Sequence, residues 1–154
     1  MRIEQSIIID RPPEEVFEFL ALRSNDPVWM ASVVESDWLE PDAPLGVGRR
    51  GRMVQKIFGR RSKYIDEVTD YQPGRRIAHR TVEGPIQLNT ACITEPTSGG
   101  TRVTVLAETE KFVDGVFGRV ANPLVAKLVR RSFKADLAKL KGILQSETPD
   151  RRLR

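Results

Sequence analysis

The segment 115–147 constrains the fold more than any other part of this chain. Val129, Phe133, Leu137, Leu140 and Leu144 follow one another at steps of four, four, three and four residues, which sets them on one face of a helix. Lys127, Arg130, Arg131, Lys134 and Lys141 gather on the opposite face, as a half-buried helix requires. Ala121, Leu124, Val125 and Leu128 widen the apolar side well beyond a coiled-coil seam. Pro123 removes a ladder hydrogen bond, so a kink or a fresh start near Asn122 is expected. A helix of about 25 to 30 residues is roughly 40 Å long. That much apolar face cannot stay in water, and the residues before it must supply the partner.

Those residues read as strands joined by tight turns. Ile3, Gln5, Ile7 and Ile9 alternate with Glu4, Ser6 and Ile8 in a first strand. The period then changes: Pro12 and Pro13, the acids Glu14 and Glu15, and Val16, Phe17 and Leu20 at helical spacing predict a short helix to about Leu22. Ser24-Asn25-Asp26-Pro27 breaks the chain, with Ser24 or Asp26 placed to cap a second short turn carrying Val28, Trp29 and Met30. Extended runs follow at 33–40, 50–58, 62–71, 76–82, 86–95 and 101–112, separated by turns rich in glycine and proline. Such spacing implies an antiparallel meander. The expected fold is α+β: a seven-stranded curved antiparallel sheet wrapped on the long C-terminal helix, with two short helices between strands 1 and 2. The hollow such a grip leaves is a place for a small molecule.

Strand alternation indicates what faces that hollow. Ile77, His79 and Thr81 share a face against Arg76 and Arg80; Ile86, Leu88, Thr90 and Cys92 share another; Val103, Val105 and Ala107 oppose Thr104, Glu108 and Glu110; Met53 and Ile57 oppose Arg52 and Lys56. The inward set is apolar with a few hydroxyls, one thiol and one imidazole. With 154 residues, 40% of them hydrophobic and 30% charged, the chain reads as one domain over 1–147 with a flexible tail at 148–154. The lone cysteine, Cys92, rules out an intrachain disulfide and suits a reducing compartment. No apolar run reaches a membrane span. A cytoplasmic protein is expected.

The order of these elements, together with several short motifs, resembles the START-like superfamily (SRPBCC, helix-grip fold) in its polyketide cyclase/dehydrase-like branch. The motifs are Arg11-Pro-Pro-Glu-Glu-Val-Phe, Trp29 in the second short helix, Gly46-Val-Gly, Glu67-Val-Thr-Asp-Tyr-Gln-Pro-Gly-Arg-Arg-Ile-Ala, Gly84-Pro, Gly99-Gly-Thr-Arg-Val-Thr and Leu137-Ala-Lys-Leu-Lys-Gly-Ile-Leu. The resemblance runs from about Ile3 to Leu144 and implies the helix-grip fold with its cavity. Relatives include cyclases, lipid and hormone carriers, quinone-binding proteins and chaperone cofactors, so the resemblance does not choose among functions.

The residues themselves exclude several chemistries. A single histidine, His79, excludes metal sites built on two imidazoles, and no cofactor or metal is expected. Cys92 has no base beside it in sequence and is read as packing. Gly46-Val-Gly-Arg-Arg-Gly spells a dinucleotide fingerprint, but a loop precedes it and a strand follows, so that site is rejected. Arg49, Arg50, Arg52, Lys56, Arg60, Arg61 and Lys63 form a basic stretch with only Phe58 interleaved, which does not make a nucleic-acid platform. It leaves room for transient contact with an anionic surface.

Three functions remain, in this order. The first is binding of a small hydrophobic ligand (lipid, polyketide-like or quinone-like) between the sheet and residues 121–128. Trp29 stands near the mouth, and Met53, Ile57, Ile77, His79, Leu88, Thr90, Cys92, Val105, Leu124, Val125 and Leu128 line the site. The second is a cyclase or dehydratase acting on a polyketide-like substrate, with His79 as catalytic acid or base. A histidine hydrogen-bonded at the sheet is the preferred account of that residue. The third is an interaction protein using its basic face. Oligomeric state is left open.

Overall fold

The computed structural model describes residues 1–57, 59–109 and 116–146, with side chains of the last helix described from residue 123 onward. Its elements are β1 (Arg2–Ile9), α1 (Pro13–Ala21), a 3-10 turn (Arg23–Asn25), α2 (Asp26–Trp29), β2 (Val33–Trp38), β3 (Arg50–Ile57), β4 (Arg60–Gln72), β5 (Arg76–Glu83), β6 (Asn89–Thr97), β7 (Gly100–Glu108) and α3 (Val116–Ser146). All seven strands pair antiparallel in the order β1-β7-β6-β5-β4-β3-β2. The meander runs from β2 to β7, and β1 closes it beside β7, where Ile3 faces Ala107 and Ile9 faces Thr101. This is the expected helix-grip arrangement, a curled sheet holding one long helix.

Local chemistry explains the elements. Ile3 and Ile9 of β1 are fully buried while Glu4, Ser6 and Ile8 face water. α1 opens on Pro13, with Glu14 and Glu15 in its first turn, where unpaired backbone N–H groups favour negative charge. It buries Val16, Phe17 and Leu20. Ile9, Val16, Leu20, Trp29 and Val103 meet Leu137, Leu140 and Leu144 of α3 in the main core. A smaller cluster joins Phe17, Val68 and Ile77. Among the described residues no helix is long and apolar enough to cross a membrane.

Local expectations meet the structure at three points. α3 runs as one helix through Pro123, so of the two outcomes expected there the fresh start at Asn122 does not occur. Residues 86–88 precede β6 and do not form part of it: Gly84, at φ 152°, turns the chain where a side chain would strike the Tyr64 ring. Leu88 is then tied back by Thr81 N–H donating to its carbonyl, at 2.9 Å. Neither Ser24 nor Asp26 caps α2, which has no side-chain cap; Asp26 is turned instead toward Ser36. Phe58, the end of the last expected strand at 110–112, the side chain of Ala121 and the tail 148–154 lie outside the described residues.

Candidate functional site

Between the inner face of the sheet, α2 and the middle of α3 lies a cavity of about 200 Å³. Strand register builds its floor. Ile77 of β5 pairs with Cys92 of β6, which pairs with Val105 of β7; His79 pairs with Thr90, and Met53 of β3 with Tyr64 of β4. Leu88 adds to one side, and Trp29, Met30, Ser132, Phe133 and Asp136 form the roof. Trp29, Met53, Ile77, His79, Leu88, Thr90, Cys92 and Val105 therefore come together around one space.

Ile57, Leu124, Val125 and Leu128 do not line it. Leu124 and Leu128 are 61% and 43% exposed, and Ile57, at the end of β3, is 45% exposed. The cavity meets α3 further toward its C-terminus than expected, because that half of the helix docks. Ala31, just after α2, donates its N–H to Asp136 at 3.1 Å and fixes the crossing there. Trp29 is also not at a mouth: it is 3% exposed and forms part of the inner wall.

One wall is ionic. Arg23 donates from both terminal nitrogens to the two oxygens of Asp66, each at 2.8 Å, and from Nε to Ser36 Oγ at 3.1 Å. Ser36 donates in turn to Asp26 Oδ2 at 2.6 Å. The Arg23 and Asp66 side chains are only 6% and 14% exposed. Gly51 of β3 leaves the guanidinium its room, since a Cβ at that position would run into it. Arg23 and Arg49 lie 4.9 and 4.2 Å from the Trp38 ring centre, and that ring stands 6.4 Å from His79. Cation–π contact thus extends the ionic wall to Trp38, whose ring stands beside the imidazole.

Burial sets the protonation of the site. It raises Asp26 to about 6, against the opposing pull of the Ser36 hydrogen bond and Arg23. It lowers His79 to about 4 and pushes the Cys92 thiol up to about 12. It also raises Asp136, which the Ala31 N–H counteracts. At neutral pH the imidazole and thiol are both uncharged. The Nε2 of His79 and the Nε1 of Trp29 are shut off from solvent with no hydrogen-bond partner, so His79 is not satisfied at this nitrogen by the sheet. Among the described residues no cluster of three or more His, Cys, Asp or Glu could hold a metal.

Sequence reasoning missed Arg23, Asp26, Ser36 and Asp66. Two signals were present: a glycine, Gly51, inside a strand pattern, which marks close approach, and Asp26 and Trp29 three apart in one helical turn.

A search of curated proteins finds no match. Several solved structures share the fold. The protein TTHA0849 from Thermus thermophilus is 20% identical with a TM-score of 0.80, covering 96% of this chain and 100% of its own. The Zhui aromatase/cyclase from a Streptomyces species is 19% identical at 0.76, covering 100% and 96%. A START superfamily protein from Mycobacterium smegmatis is 18% identical at 0.74, covering 96% and 99%. The family described as polyketide cyclase / dehydrase and lipid transport matches residues 1–145, from β1 to the last turn of α3. Together with the grip and its walled hollow, that match shows that the chain belongs to this polyketide cyclase/dehydrase and lipid-transport family.

Proposed function

We propose that the protein binds a small, largely apolar molecule in the cavity, with polar atoms of that molecule set against Trp29 Nε1 and His79 Nε2. The observation that carries this reading is the pairing of an apolar wall with two buried nitrogens that have no protein partner. Apolar burial drives entry at about 25 cal/mol per Å². A buried donor left unpaired costs about 1–3 kcal/mol, which a ligand oxygen would relieve and a pure hydrocarbon would not. The single thiol suits a reducing compartment, and we place the protein in the cytoplasm.

The rival readings have less support. A catalytic His79 needs a pKa near the working pH and a polar neighbour to orient it; burial holds the ring near 4 and its Nε2 has no partner. A basic interaction face loses Arg50 to Glu67 and Arg52 to Glu35 and Asp37, leaving Lys56, Arg60, Arg61 and Lys63 exposed.

Native mass spectrometry of the purified protein tests the binding reading. A co-purifying small molecule, lost when Val105→Trp fills the cavity, is the expected result. A bare protein that also takes up no apolar fluorophore would overturn it.

A further inference from the structure

We propose that Asp26 is the ligand-recognising acid of this cavity: its carboxyl, in the neutral form, donates its proton from Oδ1 to a carbonyl oxygen of the bound molecule. Asp26 plays this part only if the cavity takes a ligand as proposed above, so both ideas enter the test below.

The direction of the hydrogen bonds assigns the proton. A guanidinium has donors and no acceptor. Arg23 Nε therefore donates to Ser36 Oγ, and the Ser36 proton is turned to Asp26 Oδ2. With the Ser36 hydroxyl turned to Oδ2 in this way, the oxygen left for a proton on this carboxyl is Oδ1. No protein group bonds Oδ1 among the described residues, and Asp26 lines the cavity.

The other ionisable groups around the space are committed or inert. Asp66 of β4 spends both oxygens on Arg23. Asp136 of α3 accepts from Ala31, while His79 of β5 and Cys92 of β6 stay uncharged at neutral pH. Tyr64 of β4, pushed upward by burial, keeps its proton as well.

A second observation points to the same ligand. Trp29 is 3% exposed, with its indole N–H unpartnered. It stands three residues from Asp26, on the same side of the one-turn α2. The turn therefore offers an indole N–H and a carboxyl O–H, two donors that suit the two lone pairs of a carbonyl oxygen. A carboxylate ligand would meet Asp26, Asp66 and Asp136, with Arg23 already paired to Asp66 and Arg80 to Glu67. The class selected is a neutral apolar ketone or quinone. Burial already favours the protonated acid below about pH 6, and a ligand that accepts its proton holds it in that form at higher pH.

Titration of the purified protein with 2-acetylnaphthalene and with 2-naphthoate, between pH 5.5 and 8 and followed by tryptophan quenching, tests this. The ketone's Kd should weaken at least tenfold over that range, and naphthoate should bind more weakly than the ketone throughout. Asp26→Asn, whose amide N–H replaces the acid O–H, should bind the ketone with a flat pH profile. Calorimetry of the unmodified protein in two buffers of different ionisation enthalpy should show proton uptake with the ketone at pH 7. A pH-independent Kd with no proton uptake, or a D26N profile as steep as the original, would overturn the role of Asp26 while leaving the cavity reading intact. Folded protein that binds neither probe at any pH would overturn the cavity reading itself, and the role of Asp26 with it.

Discussion

The two ends of the inner space are built by opposite means. At one end Leu137, Leu140 and Leu144 of α3, each 2% exposed or less, close against Ile9, Val16 and Val103 in an apolar cluster. At the other end α3 presents Phe133 and Asp136 across a hollow, and the wall is held by Arg23, Asp66, Ser36 and Asp26. A solid core keeps its shape because every side chain is pressed by its neighbours. A hollow lacks that pressure on one side, so its wall needs directional bonds to keep it open. A bidentate ion pair over a glycine supplies them.

The sharpest way to break this contrast is to remove one ion. Arg23→Leu leaves Asp66 buried and unpaired, and urea denaturation should report a loss of about 3–5 kcal/mol. Adding Asp66→Leu should recover most of that loss while lowering affinity for polar ligands, because the pair confers shape more than stability. At the solid end, Leu140→Ala should cost about 3 kcal/mol in the same assay, the usual size for a methyl-rich side chain removed from a closed core. Unlike Arg23→Leu, it should have no second-site rescue.

Acidity separates the hollow from the core further. Asp26 is raised from 3.8 to about 6 in the folded state. Its contribution to stability is therefore full below 3.8 and is lost as pH rises through 6. His79 is lowered from 6.5 to about 4. Its contribution is full above 6.5 and is lost as pH falls through 4. The two oppose one another between about pH 4 and 6.5, each on the order of 3 kcal/mol. Asp26→Asn should therefore make the protein less tolerant of acid across that window. His79→Gln should make it more tolerant, as read from denaturation midpoints at each pH. Parallel profiles for the two variants would contradict the assignment. The smallest effect belongs to the open half of α3: Leu124→Ser, at a position 61% exposed, should change stability by less than about 0.5 kcal/mol.

Much of this is legible in the sequence. Alternation puts Ile77 and His79, Thr90 and Cys92, and Val105 on the inward faces of their strands; the register that sets His79 opposite Thr90 and Ile77 in line with Cys92 and Val105 comes from the structure. Helical spacing picked Leu137, Leu140 and Leu144, which are all buried. It failed for Leu124 and Leu128, since periodicity says which face of a helix is apolar and not how far along the helix the sheet reaches. Arg23 and Asp66 are 43 positions apart. Arg23 lies in a short turn, and Asp66 stands in a strand whose neighbouring acid, Glu67, pairs outward with Arg50 and Arg80. No local pattern joins the first two.

The sequence by itself determined the order of strands and helices, the inward faces and the helix that the sheet holds, because those follow from side-chain period and turn chemistry within a few residues. The tertiary structure alone decided where α3 crosses the sheet, where along that helix the hollow lies, and that the charges of Arg23, Asp26 and Asp66 meet at its wall. Those depend on long-range closure, in which a glycine on one strand, a turn after the first helix and a carboxylate on another strand must arrive at the same point.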